Sequence, residues 1–253
     1  MKRGKEGQVT IFIIIGIIIV ILVSLYFILI YLPSKNISPE ESPGSFIEKC
    51  VNDVSKEAIS IILSQGGKIE PMNYKEYLDN KISYLCYAEG NYKQCVMQEP
   101  FYIDSLEQEI KEYILPQIER CYGSLRLNLE RKNYGVDLSP EMKLSDKLVE
   151  NALNVQIERD LSITKSGETK QFDKLDINVP TKIYNLAIVG MEIANSESQY
   201  CNFEYNGYML LHPNIRIERI STGEDIKIYY IKDKATQQEL KVAIKSCTLP
   251  PGF

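Results

Sequence analysis

The residues of this 253-residue chain best equipped for chemistry are six cysteines: Cys50, Cys86, Cys95, Cys121, Cys201 and Cys247. Thiols hold metals, act as nucleophiles or pair as disulfides. A zinc site wants Cys-x-x-Cys spacing or neighbouring histidines, yet no such pair occurs and His212 is the single histidine. An activated thiol needs a basic partner, and Leu211-His212-Pro213 lies between expected strands, which makes His212 a loop or strand-end residue. Disulfides remain, and their even number points to an oxidising compartment. Of the pairings six cysteines allow, three are expected: Cys50 with Cys121 across two helices, Cys86 with Cys95 within a hairpin, and Cys201 with Cys247 closing the last segment. The carboxylate pairs Asp173/Asp176 and Glu40/Glu41 have glycosidase chemistry, but their surroundings are a turn-rich strand and a polar tether, where solvated charge is the simpler role. Gly66-Gly67-Lys68 lacks the earlier glycine and the following Ser/Thr of a phosphate loop and reads as a helix terminus. No Gly-x-Ser-x-Gly, His-Glu-x-x-His or dinucleotide glycine pattern occurs. The expectation is a non-enzyme with no catalytic residue, no metal and no cofactor.

The elements that must carry these cysteines are uneven in composition. The chain is 44% hydrophobic, yet its mean hydropathy is −0.18. The apolar residues concentrate at one end: Val9 to Leu32 is 24 residues without a charge, ten of them isoleucine. At roughly 1.5 Å per residue, a helix of that length spans a bilayer core of about 30 Å. The stretch exceeds a secretory signal and runs into Pro33 without a small-residue cleavage site, so it reads as an anchor. Lys2, Arg3 and Lys5 precede it, and Lys35, Glu40 and Glu41 are the first charges after it. The positive-inside bias puts the N-terminus in the cytoplasm and the cysteines outside, with the bilayer as partner of residues 8–32.

Lys5-Glu6-Gly7-Gln8-Val9-Thr10-Ile11-Phe12 resembles the archaeal class III signal of type IV pilins and archaellins, in which a short basic leader ends in glycine and the mature chain begins Gln-x-Ser-x-Glu. The resemblance covers about 30 residues. It implies a cut between Gly7 and Gln8 by a prepilin-type peptidase on the cytoplasmic face, leaving the apolar helix as the new N-terminus. Thr10 stands in for the serine. Phe12 occupies the position of the glutamate that, in the family, pairs with a neighbouring subunit's amino terminus, so this chain departs from the family at the residue most tied to polymerisation. The chain is also similar to membrane-tethered proteins of small-genome archaea that begin Gly-Gln-Val-Thr-Ile-Phe and carry a cysteine-containing helix ending Gln-Gly-Gly, as Gln65-Gly66-Gly67 does here. That likeness implies a setting and no activity.

Beyond the leader (1–7) and the anchor (8–32), three prolines and a glycine make residues 33–44 a semi-rigid tether. Asn36-Ile37-Ser38 within it is a glycosylation sequon followed by Pro39. A capping box at Ser45-Phe46-Ile47-Glu48 predicts a helix to Gly66-Gly67, with Ile47, Cys50, Val51, Val54, Ala58, Ile61 and Ile62 on its apolar face. Ile82–Tyr87 and Tyr92–Met97 predict a hairpin, and Asp104 or Ser105 a second helix to Cys121 with a kink at Pro116. After Gly123 alternating leucines (125, 127, 129), then 153/155/157 and 161/163, predict strands. A turn at Lys165–Glu168 leads to a strand from Phe172 to Val179, a third helix follows Pro180-Thr181, and three antiparallel strands end the chain. The fold class expected is α+β, with helices on a mainly antiparallel sheet, divided into a helix-rich subdomain (45–122) and a β-rich one (123–253).

Past the leader the chain carries 26 basic and 33 acidic residues, which argues against nucleic acid as a partner. Fifteen of the seventeen tyrosines lie beyond the anchor, seven between Tyr74 and Tyr113, and a tyrosine-rich face suits a protein or glycan partner as well as a core short of tryptophan. Two functional readings follow. One is a pilin-like surface subunit, structural or adhesive, able to form a homo-oligomer; the other is a non-polymerising anchored ectodomain that binds a ligand or envelope partner.

Overall fold

The structure, a computed structural model, describes residues 14–24, 42–90, 93–223 and 225–247. The chain forms two units, Met1–Ser38 and Pro39–Phe253. In the first, residues 14–24 form a helix, α1, with its isoleucines about half exposed. Among the described residues no helix is long and apolar enough to cross a membrane. The leader, the Gly7/Gln8 junction, Thr10, Phe12, Asn36 and the rest of the expected 8–32 span lie outside the described residues.

The second unit opens with α2 (Pro43–Ser64). Ser42 caps it, its hydroxyl accepting from the Ser45 N–H at 3.3 Å, and Pro43 fills the first turn, where a missing N–H and a fixed φ cost nothing. The helix therefore starts one turn before the expected capping box at Ser45 and takes in residues 43 and 44 of the expected 33–44 tether, whose residues 33–41 lie outside the described ones. At the other end the Gly67 N–H donates to the Ile62 carbonyl at 2.9 Å. Gly66 and Gly67 sit at φ +73° and +98°, as a glycine terminus requires. A Cβ on Gly67 would lie 2.5 Å from the ring of fully buried Tyr102. Gly67→Ala combines backbone strain with overpacking and is expected to cost about 3 kcal/mol, read as a lowered denaturation midpoint.

After a hairpin of β1 (Tyr74–Tyr77) and β2 (Asn80–Tyr87) and the short β3 (Val96–Met97) comes α3 (Tyr102–Glu130). It runs past the expected end at Cys121, with Pro116 inside it. The leucines at 125, 127 and 129 are helical, not a strand. Leu125 and Leu129 are buried one turn apart, while Leu127, on the opposite side, is 57% exposed; a spacing of four satisfies both periods, and packing on α2 chose the helix. The 122/123 boundary accordingly falls within α3 and separates no subdomains.

Two sheets complete the unit. β4 (Gly135–Leu138) and β5 (Lys143–Val149), both missed in the sequence, lie end to end along one edge of β6 (Ala152–Lys165); β7 (Glu168–Pro180) pairs with the other edge through the expected turn. α4 (Ile183–Tyr200) and the short α5 (Tyr205–Leu211) then lead to β8 (Ile215–Thr222), β9 (Ile226–Asp233) and β10 (Glu239–Lys245). The other sheet runs β1-β2-β10-β9-β8, with β3 also on β2. All its pairings are antiparallel except β2 with β10, which joins an early strand to the last one. That pairing spans the two expected subdomains. One continuous core connects α2, α3 and α4 with the inner faces of both sheets.

Candidate functional site

The most built polar cluster starts inside the core. Glu197 of α4 is fully buried, and one carboxylate oxygen accepts from Lys227 Nζ of β9 at 2.6 Å while the other accepts from the Tyr229 hydroxyl. Lys227 Nζ donates also to the Cys201 carbonyl at 2.6 Å, and the Ser246 hydroxyl donates to the Glu197 carbonyl at 3.0 Å. Burial first, and the Glu197 charge second, hold the Tyr229 phenol far above its ordinary range, so it stays a donor. Cys201, left-handed at φ +56°, ends α4 and is bridged to Cys247.

From this base a ladder of rings climbs to the surface. Phe203 meets Tyr229 edge-on at 6.4 Å, Tyr208 lies 5.4 Å from Phe203, and His212 stacks on Tyr208 at 4.2 Å with the planes 22° apart. The Tyr208 hydroxyl bonds to Glu192, and burial followed by that carboxylate pushes its pKa up to about 12. Two glutamates on one helix thus fix the two tyrosines of the ladder. Offset and edge-on rings at these distances attract one another, so the stack is pre-organised.

His212, the exposed outer ring, borders an open groove of about 690 Å³ with Tyr184, Asn185, Glu192, Tyr208 and Asn214 on its walls. Lys182 and Asn151 also line it: the Lys182 ammonium donates to the Asn151 side chain, and the Asn151 backbone N–H donates to Asn185 Oδ1 at 3.3 Å. Asp233 lies on the same lining, within reach of the Lys182 charge. Burial alone would raise its pKa, but the Thr236 N–H (2.7 Å) and hydroxyl (2.8 Å), and then the Lys182 charge, keep it below the ordinary range. Leu211, at the end of α5, leaves four-fifths of its surface exposed at the rim. An aromatic face ringed by carboxylate and amide groups suits stacking with hydrogen bonding at the edges.

The cysteines join as Cys50–Cys121, Cys86–Cys95 and Cys201–Cys247, with Cα atoms 6.4, 5.4 and 5.2 Å apart. These are the three pairs named from the sequence. Gly7, Gln8 and Asn36 lie outside the described residues. Asp173 and Asp176 are exposed on β7, Asp176 already engaged by Lys174 at 3.6 Å and Gln156 at 2.8 Å. His212 is a loop residue, as expected, but the loop runs from the C-cap of α5 to β8 and does not join two strands. The ladder went unread in the sequence because α5 is a single short helix interrupted by Gly207. The one local signal was Tyr208 and His212 at helical spacing.

A second perturbed carboxyl lies away from the groove. Asp146 of β5 is pushed up to about 6 by burial and then by Glu107, and its Oδ2 is buried without a hydrogen-bond partner among the described residues. A raised carboxyl pKa means that folding favours the neutral acid. This contribution to stability therefore declines as pH rises from the unfolded value near 3.8 through about 6 and stays unfavourable above it. Asp146→Asn is expected to flatten the stability profile over that window, which denaturant midpoints measured across pH 4 to 7 would check.

No protein-family model, curated protein or solved structure matches the chain.

Proposed function

We propose that the protein is a single-pass, membrane-anchored surface protein whose head, outside the cell, recognises a ligand in the His212 groove. The observation that carries this reading is the ring ladder, rooted on the buried Glu197–Lys227 pair and ending on an exposed face beside Glu192. A pyranose ring fits such a wall, its C–H face on the aromatic ring and its hydroxyls on carboxylate and amides. Three disulfides support an oxidising location, and the apolar stretch after a basic leader supports anchoring of residues 8–32 with the N-terminus in the cytoplasm.

Processing between Gly7 and Gln8 belongs to this reading. The start of α2 at its own Ser42 cap, together with Phe12 in place of the pairing glutamate, favours the anchored, non-polymerising form over a filament subunit. Mass spectrometry of the natively expressed N-terminus is expected to find a chain beginning at Gln8; one beginning at Met1 overturns the processing. Protease shaving of intact cells should release head peptides, and their retention would place the head inside and sink the topology. For the groove, saturation-transfer NMR of the protein in nanodiscs with cellopentaose, chitopentaose and mannopentaose is expected to mark ring C–H protons of at least one sugar. The signal should vanish in His212→Ala and persist in His212→Phe. Transfer unchanged by His212→Ala, or none with any sugar, rejects the groove.

A further inference from the structure

The tyrosines singled out in the sequence divide between core and surface. Tyr102 is buried in the core, whereas Tyr77, Tyr84 and Tyr87 gather with Tyr230 over Ile82, Ile226, Ile228 and Ala243 on the outer face of the sheet β1-β2-β10-β9-β8. The helices that contact this sheet pack with the alternate residues, Leu240, Val242 and Ile244 among them, so the tyrosines and the stems of lysines cover the outer face. Cross-strand register puts Lys75, Arg216, Lys232, Lys241 and Lys245 on it; among the described strand residues the carboxylates that join them are Glu218, 2.6 Å from Arg216, and Glu239, so the lysines carry the excess charge. A chain that carries seven more acidic than basic residues past its leader thus concentrates cations on one surface. Two of them are held in place: Lys241 lies 5.5 Å from the Tyr230 ring centre and Lys245 5.2 Å from that of Tyr87.

We propose that this face binds a linear acidic polysaccharide, its carboxylates or sulfates meeting the lysine row and its hydroxyls bonding with the polar groups between the lysines. Charge complementarity identifies a polyanion. The rings and rim separate the classes of polyanion. Tyr84 and Tyr87 are packed edge to face at 5.0 Å, and Tyr87 and Tyr230 each carry a lysine over the ring, which leaves poor stacking platforms for nucleic-acid bases. Among the described residues, the large exposed apolar side chain that register puts on this face is Val96, opposite Tyr87, and one aliphatic side chain gives a bilayer little to hold. The proposal is independent of the His212 groove and rests only on the head being displayed outward.

Binding of the full chain in neutral-lipid nanodiscs to immobilised heparin and to polygalacturonate tests it. At least one should bind at about 0.05 M salt and release by about 0.5 M, since exposed ion pairs are screened over that range. Lys241→Glu/Lys245→Glu should weaken binding at least roughly tenfold, while Lys111→Glu/Lys170→Glu, on α3 and β7, leaves it unchanged. Binding to neither polymer, equal loss in both double variants, or tighter binding to single-stranded DNA or to anionic vesicles than to the polysaccharides overturns the proposal. Because the assay is made on purified protein, its failure leaves the topology and N-terminus measurements standing.

Discussion

Replacing Glu197 with leucine is expected to remove about 3–5 kcal/mol of stability, the usual cost of stranding one member of a buried ion pair. Lys227, 6% exposed, would keep only the Cys201 carbonyl, and the Tyr229 hydroxyl would lose its acceptor. The comparison that makes the result diagnostic is the triple variant Glu197→Leu/Lys227→Met/Tyr229→Phe. With both charges and the orphaned hydroxyl gone, most of the loss should return, because hydrophobic side chains of similar volume serve a core about as well as an ion pair. Guanidinium midpoints of the two variants decide it: a single variant within about 1 kcal/mol of the parent would mean that the pair is not buried as described. The same cluster supports the ring ladder, so Glu197→Leu should also reduce sugar-dependent saturation transfer in the groove, and the triple variant should restore part of it.

Opening the Cys50–Cys121 bridge is the second large effect. The bridge closes a loop of 71 residues that includes the rest of α2, the β1–β2 hairpin and the first two-thirds of α3. The chain-entropy relation for a loop of that length gives about 4 kcal/mol, almost all from the unfolded chain. Cys50→Ala/Cys121→Ala should lower the midpoint accordingly without changing the strand pairings, because α2 and α3 remain packed through Ile47, Val51, Ile114 and Ile118. Cys86→Ala/Cys95→Ala, which opens a loop of only 9 residues, should cost roughly 2.5 kcal/mol by the same relation. A larger loss from the short loop than from the long one would contradict the entropic account.

Local chemistry sufficed wherever a residue acts on its neighbours in the chain. Gly66-Gly67 stops α2 because the left-handed backbone is cheap only for glycine, the Ser166-Gly167 turn joins β6 to β7, and the last three strands follow from alternating apolar residues between polar turns. The disulfide pairs were also legible, since elements read in order bring those cysteines together. Where a pattern satisfies two periods, the local signal fails. Leu125, Leu127 and Leu129 alternate like a strand, yet α2 lies beside them and burying Leu125 and Leu129 makes them the end of a long helix. α2 itself begins earlier than its capping box suggests, because Ser42 and Pro43 make the better start.

What the amino-acid sequence determined by itself is the distribution of matter along the chain: a basic N-terminal stretch, an uncharged apolar stretch, a proline-bearing polar stretch and a cysteine-bearing remainder with an excess of acid. What only the tertiary structure decided is which distant residues share a surface. β2 pairs with β10 across more than 150 residues of chain, and that one parallel pairing sets Tyr84 and Tyr87 beside Lys245 and Tyr230. In the same way Glu192 and Glu197 reach Tyr208 and Tyr229 only because α4 lies across β9. The reason is physical: composition and periodicity report a residue's preference for burial or turn, while the neighbour that meets it from a remote strand is chosen by closing the whole core.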